Sequence, residues 1–266
     1  MSFLTQKTAK NTFQIIVLLA FSFFIAVDNT AAQYAVRKGG RLGKKITITT
    51  KDKVRLSALY FKPASTNKKT LILQHGLGSN QEEWQPFANK LVREGCGFLS
   101  YDARGHGEST FMEDGSNISY TNFGPPAENS NWEKMVSDLD DAVNYLVNEK
   151  STPAKSIGLM GASLGANTVI LYAAVNKTIP FIILLSPGLN YAGLQAIPAI
   201  TEIQKRPVLL VASPNDTYAY QSTHLLNSQI KENKRAVFYY GANGFHGVQM
   251  LNKSMTTKIL MWIGRR

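Results

Sequence analysis

From residue 70 onward, short and predominantly apolar runs alternate with longer stretches of helical character, and this alternation narrows the chain to one broad architecture. Residues 70–74, 98–101, 156–160, 181–185, 208–212 and 236–240 read as strands. Residues 81–93, 132–149, 163–175, a segment near 223–231 and another near 248–262 read as helices. The strands are continuous Val, Ile and Leu runs, which is the pattern of a mostly parallel sheet covered by helices on both faces. Upstream, residues 44–50 and 54–61 flank Lys51-Asp52-Lys53 and predict an N-terminal antiparallel hairpin. Residues 111–131 are rich in Asn, Gly, Ser and Pro and predict a long loop.

The 266 residues suffice for one such α/β domain. A single cysteine, Cys96, excludes an intrachain disulfide framework. No apolar run reaches the roughly 18 residues of a membrane span. At the N-terminus, Lys7 and Lys10 precede the apolar residues 15–27, and small residues follow at Thr30, Ala31 and Ala32. This is the pattern of a signal peptide over residues 1–32, cleaved after Ala32 to leave a single domain over 33–266 and an exported, periplasmic or secreted protein. The alternative is an uncleaved membrane anchor, because Arg37, Lys38 and Arg41 blur the charge asymmetry that orients insertion. The net charge of +11 is concentrated in residues 33–69, where eleven Lys and Arg face one acid, Asp52. The remainder of the mature chain is balanced, which argues against a nucleic-acid partner. The basic segment is expected to guard a sheet edge, with weak association to an anionic envelope surface as the sharper alternative.

In parallel sheets of this kind, sites lie at the C-terminal ends of the strands. After strand 156–160 comes Gly161-Ala162-Ser163-Leu164-Gly165, and then an apolar helix. A serine on so sharp a strand-to-helix turn sits in a strained conformation, with its hydroxyl exposed and glycines making room on either side. A hydroxyl needs a base to become a nucleophile. His246, in the glycine-rich loop after the last strand, is the candidate base. Asp216, after strand 208–212, is the candidate acid that orients it. Asp138, Asp140 and Asp141 are expected on a solvated helical face, and Asp102 precedes the serine in the chain. For the oxyanion, the candidate donors are the backbone N–H groups of Leu164 and of Leu77 in His75-Gly76-Leu77-Gly78. His75 is expected to brace that loop.

These pieces, with Asp102-Ala103-Arg104-Gly105-His106-Gly107-Glu108-Ser109, resemble the serine hydrolases of the α/β-hydrolase superfamily, and most nearly its small esterases and dienelactone-hydrolase-like members. The order Ser163, Asp216, His246 is the superfamily's triad order. The resemblance implies an α/β-hydrolase fold, a structural role for His106 in the turn after the fourth strand, and carboxylic-ester hydrolysis through an acyl-enzyme. Aminopeptidase or thioesterase activity on the same machinery is the alternative, and a non-catalytic binding protein of the fold is a third reading. True dienelactone hydrolases use a cysteine, whereas Ser163 stands here. No cofactor or metal is implied, and the expected partner is a small-molecule ester. Residues 187–206 are too few for the separate lid domain of many lipases. Phe111, Met112, Tyr120, Phe123, Tyr191, Leu194 and Phe245 are the candidate lining of an apolar acyl pocket.

Overall fold

The computed structural model describes residues 41–203, 205–230 and 235–266. The signal-peptide segment, the proposed cleavage point and the basic residues 33–40 lie outside the described residues. Strand β1 (Lys44–Thr49) pairs antiparallel with β2 (Arg55–Phe61), and β2 pairs antiparallel with β4 (Gly97–Tyr101). Beyond β4 every pairing is parallel, through β3 (Thr70–Gln74), β5 (Ile157–Ala162), β6 (Ile182–Leu185), β9 (Val208–Ala212) and β10 (Ala236–Tyr240). The sheet order is β1-β2-β4-β3-β5-β6-β9-β10. A separate two-stranded hairpin is formed by β7 (Asn190–Tyr191) and β8 (Leu194–Gln195).

Both faces of the sheet are covered, as the unbroken apolar strands require. Ile72, Leu99, Leu159, Leu184 and Leu210 share one core cluster with Leu139 and Ala142 of α2 (Asn131–Asn144) and with Val169 and Ile170 of α3 (Leu164–Val175). Their strand neighbours Leu71, Phe98, Met160, Ile183 and Leu209 are equally buried and point the opposite way, because successive side chains of a strand alternate in direction. On that second side Phe181 packs edge-on against Trp262 of α6 (Lys253–Ile263), and α6 contacts α1 (Gln85–Arg93). Helix α3, buried on almost every side, runs on from the end of β5. Residues Gly43–Arg266 form one compact unit. Among the described residues no helix is long and apolar enough to cross a membrane.

Some boundaries differ from the sequence reading. The helix expected over 81–93 is a 3₁₀ turn, Gln81–Trp84, followed by α1 with Pro86 in its first turn, where a missing N–H costs nothing. The helix expected near 223–231 is α5 (Thr217–Gln229), which begins directly after Asp216. Residues 187–206 hold the β7–β8 hairpin as well as the short helix α4 (Ala196–Thr201), and no separate lid domain is seen among the described residues. Asp138 is the clear correction. It is 1% exposed and forms a two-pronged ion pair with Arg104, Nε to Oδ2 at 2.7 Å and Nη2 to Oδ1 at 2.5 Å. A buried guanidinium needs carboxylates on both of its edges, and Asp52 supplies the second at 2.9 Å.

Candidate active site

The turn between β5 and α3 carries the strain that its sequence predicts. Ser163 has φ 54° and ψ −122°, a left-handed conformation that non-glycine residues seldom hold. Two neighbouring hydrogen bonds over-determine it: the Ser163 N–H donates to Leu185 O at 2.8 Å, and the Ala166 N–H donates to Ser163 O at 2.8 Å. The flanking glycines are needed for space. A Cβ on Gly161 would lie 2.2 Å from Gly165 O, and one on Gly165 would lie 2.4 Å from Gln74 O.

Loops from the neighbouring strands converge on this turn. On the β3 side, Gly76 lies against Ser163: a Cβ there would be 3.2 Å from the serine Cβ. This contact holds Gly76, the residue before Leu77, beside the serine, and Leu164 is the first residue of α3 directly after it. His75 holds this loop from behind. Its Nδ1–H donates to Gly76 O at 2.7 Å, and its Nε2 accepts from the Ala103 N–H at 2.8 Å. Burial, with His106 nearby, drives the His75 pKa down to about 3, so the ring stays neutral. His106 is buried as well and stacks on Tyr120, with centroids 4.1 Å apart.

On the opposite side lie Asp216, at the start of α5, and His246, in the loop after β10. His246 Nδ1 and Asp216 Oδ2 are 2.6 Å apart. Ala162, the residue before the serine, comes within 3.4 Å of a Cβ built on Gly247, the residue after the histidine, so the two turns touch. Ser186 fixes this contact. It follows β6 directly with φ 49°, is fully buried, and its Oγ accepts the Gly247 N–H at 3.0 Å. Sequence reasoning passed over Ser186, although its place directly after an apolar strand marks it. Glu83 was also passed over. Its carboxylate takes a hydrogen bond from Ser79 Oγ, close behind the Leu77 loop. Burial raises its pKa, while the nearby His246 opposes the rise.

The apolar-pocket residues separate into groups. Phe123, Tyr191 and Leu194 belong to one cluster with Leu164, Ala103 and Met135, and Leu194 is buried within it. Phe111 and Met112 lie elsewhere, bridged to Asn117 and to Val54 at the β1–β2 turn, with Met112 packed on the main core. They do not share a cluster with Leu164, because the loop folds back on the hairpin instead of over the serine. Phe245 is 45% exposed beside His246. Among the described residues no three His, Cys, Asp or Glu side chains converge to hold a metal.

A family model described as serine aminopeptidase, S33, matches residues 65–243. The chain belongs to this family. The match takes in Leu77, Ser163 and Asp216 and stops three residues short of His246. Protein phosphatase methylesterase 1 of Schizosaccharomyces pombe is 33% identical over 113 residues, which are 41% of this chain and 29% of that protein. The thiohydrolase aneE of Aspergillus aculeatus is 29% identical over 122 residues, 46% of this chain and 34% of that protein. The chain thus spans about a third of the length of these two curated relatives. Among solved structures, the esterase Pf2001 of Pyrococcus furiosus superposes with a TM-score of 0.65 at 22% identity, covering 84% of this chain and 91% of that one. The fold is the α/β-hydrolase fold.

Proposed function

We propose that this protein is a serine hydrolase that cleaves carboxylic esters through an acyl-enzyme. The observation that carries the reading is the strained Ser163 turn set against the Asp216–His246 pair. Ser163 Oγ attacks the ester carbonyl as His246 takes its proton. Asp216 holds the imidazole in the tautomer that leaves Nε2 free to accept, and it stabilises the imidazolium. The Leu77 and Leu164 N–H groups receive the negative charge that develops on the carbonyl oxygen. His246 then returns the proton to the departing alcohol, and water releases the acid by the same steps in reverse. None of these steps calls for a cofactor.

Amide or thioester cleavage is the second reading, favoured by the aminopeptidase description of the family and by the thiohydrolase relative. Two assays test both readings. A fluorophosphonate probe is expected to label Ser163, and Ser163→Ala is expected to abolish p-nitrophenyl ester turnover. Asp216→Asn is expected to lower kcat by on the order of 10⁴. Near wild-type turnover by either variant rejects the assignment. Relative rates on matched ester, thioester and aminoacyl amide substrates then decide between the readings.

A further inference from the structure

The position directly after β6 holds a backbone conformation that its residue type does not favour. Ser186 has φ 49°, in the left-handed region where glycine, asparagine and aspartate are the usual occupants. A serine there carries strain that a glycine would relieve. Its side chain is fully buried, where a hydroxyl is unfavourable unless it is hydrogen bonded. Two unfavourable features at one residue need a reason, and the reason lies in what the end of β6 touches.

Three hydrogen bonds meet there, and each leads to a different member of the triad. Leu185 O accepts the Ser163 N–H at 2.8 Å, which fixes the nucleophile turn. The Ser186 N–H donates to Val211 O of β9 at 2.8 Å, and that strand runs on to Asp216, whose N–H donates to Ser213 O at 3.0 Å. Ser186 Oγ accepts the Gly247 N–H at 3.0 Å, directly beside His246. The first two bonds use backbone atoms that almost any residue supplies. The third needs a hydroxyl, and it goes to the part of the site that most needs an anchor. The loop leaves β10 at Gly241, whose N–H donates to Ala212 O at 2.9 Å. Asn243, Gly244 and Phe245 are then exposed. Around the histidine the chain bonds to itself, the Gln249 N–H to His246 O at 3.2 Å and the His246 N–H to Gln249 Oε1 at 3.4 Å. Those internal bonds shape the turn and do not tie it to the sheet. Ser186 Oγ does.

We propose that Ser186 is a positioning residue. Through the Gly247 N–H its hydroxyl holds His246 in register with Ser163 and Asp216, whose own turns the same strand end fixes. This rests on the triad reading above. Ser186 itself touches neither substrate nor the transferred proton. Without the hydroxyl, the buried Gly247 N–H loses its acceptor, and the turn must move to find another. His246 moves with it, and a misplacement of about 1 Å is enough to lower a rate on the order of 10²-fold.

The test uses two variants that both lack the hydroxyl and differ in strain. Ser186→Ala keeps the unfavourable φ, whereas Ser186→Gly relieves it. Both are expected to lower kcat on a p-nitrophenyl ester by about ten- to a hundredfold, corrected for the folded fraction, while KM stays within about threefold. Low-field proton NMR reads the histidine directly. The proton between His246 Nδ1 and Asp216 Oδ2, which are 2.6 Å apart, is expected as a sharp resonance in the wild type and as a broadened or missing one in both variants. A role in packing alone leaves that resonance in place. Wild-type kcat in either folded variant, or an unchanged resonance, overturns the proposal. A defect confined to Ser186→Ala assigns the loss to backbone strain and overturns it as well. Fluorophosphonate labelling of the same preparations separates the two levels of the argument. Ser163 labelled as fast in the variants as in the wild type overturns the role of Ser186 alone, whereas wild-type protein unlabelled at Ser163 overturns the nucleophile assignment and this proposal with it.

Discussion

Single residues at this site are constrained by which protons and which volumes fit. His75 shows the first constraint. Its Nε2 accepts the Ala103 N–H, so protonation of the ring sets one N–H against another. Burial, with His106 nearby, holds the pKa of the folded state down to about 3, while the unfolded chain takes up a proton below the ordinary value of 6.5. Between those values the unfolded state binds more protons, so stability falls as pH falls, by up to about 1.4 kcal/mol per pH unit. Urea unfolding from pH 7 to 4 is expected to show this slope in the wild type and a shallower slope in His75→Gln; parallel slopes contradict the account. Gly165 shows the second constraint. A methyl group there meets backbone oxygens of Gln74 and His75, at 2.4 and 2.5 Å, and a strand carbonyl cannot step aside. Gly165→Ala is expected to lose about 1–3 kcal/mol of stability, together with ester turnover beyond what the remaining folded fraction explains. Retention of both stability and turnover contradicts the close-approach argument.

At the scale of elements, Arg104 couples three parts of the fold. From the turn after β4 its fully buried guanidinium reaches Asp138 on α2, Asp52 between β1 and β2, and Asn131 at the start of α2. The Arg104 charge holds the Asp52 carboxyl well below the usual carboxylate range. Arg104→Met leaves Asp138 buried without its partner, a loss expected at about 3–5 kcal/mol, most of it regained in Arg104→Met/Asp138→Leu. If the double variant is no more stable than the single one in urea, the cost lies in packing and not in the stranded charge. This network also shows where reading the sequence reaches its end. The strands were legible because burial on both faces leaves unbroken apolar runs, and the elbow because its glycines and serine are dictated by sterics. Asp138 was not legible: its neighbours Asp140 and Asp141 pair with Lys51 near the surface, and nothing in the spacing of three acids says which one turns inward. The β7–β8 hairpin was not legible either. Two-residue strands are too short to show a period, and Ala192 is an unusual occupant of a left-handed turn position. Ser186 is visible in the sequence as a serine after an apolar strand, whereas the aim of its hydroxyl is a tertiary property.

At the scale of the whole molecule, the sheet has two ends among the described residues, and residues 44–61 of the basic segment form the first two strands at one of them. Among the described residues strand β1 is an edge, paired on one side only, with Lys44 and Lys45 exposed. Several charges of this segment are set against acids from the rest of the chain: Lys45 with Glu108 at 2.5 Å, Lys51 with Asp140 at 2.8 Å and Lys53 with Glu113 at 2.9 Å. Such pairs weaken the collective field on which docking to an anionic surface depends, and they leave intact the local cost of bringing a second strand against two lysines. Edge protection and envelope docking then differ in what they require of the same residues. If the lysines guard the edge, Lys44→Thr/Lys45→Thr exposes an alternating Thr and Ile strand with no charge to oppose pairing. The variant is expected to form concentration-dependent oligomers in size-exclusion chromatography, while turnover of a small neutral ester by the monomer fraction stays at the wild-type level. If the segment docks on an anionic envelope surface, wild-type protein is retained on phosphatidylglycerol vesicles at low salt and released as the screening length shortens toward about 8 Å at physiological ionic strength. Replacing Lys44, Lys45, Lys68 and Lys69 by Gln then abolishes that retention. The ion pairs favour the first outcome. A variant that stays monomeric at every concentration, beside a wild type that binds vesicles in a salt-sensitive way, reverses the assignment.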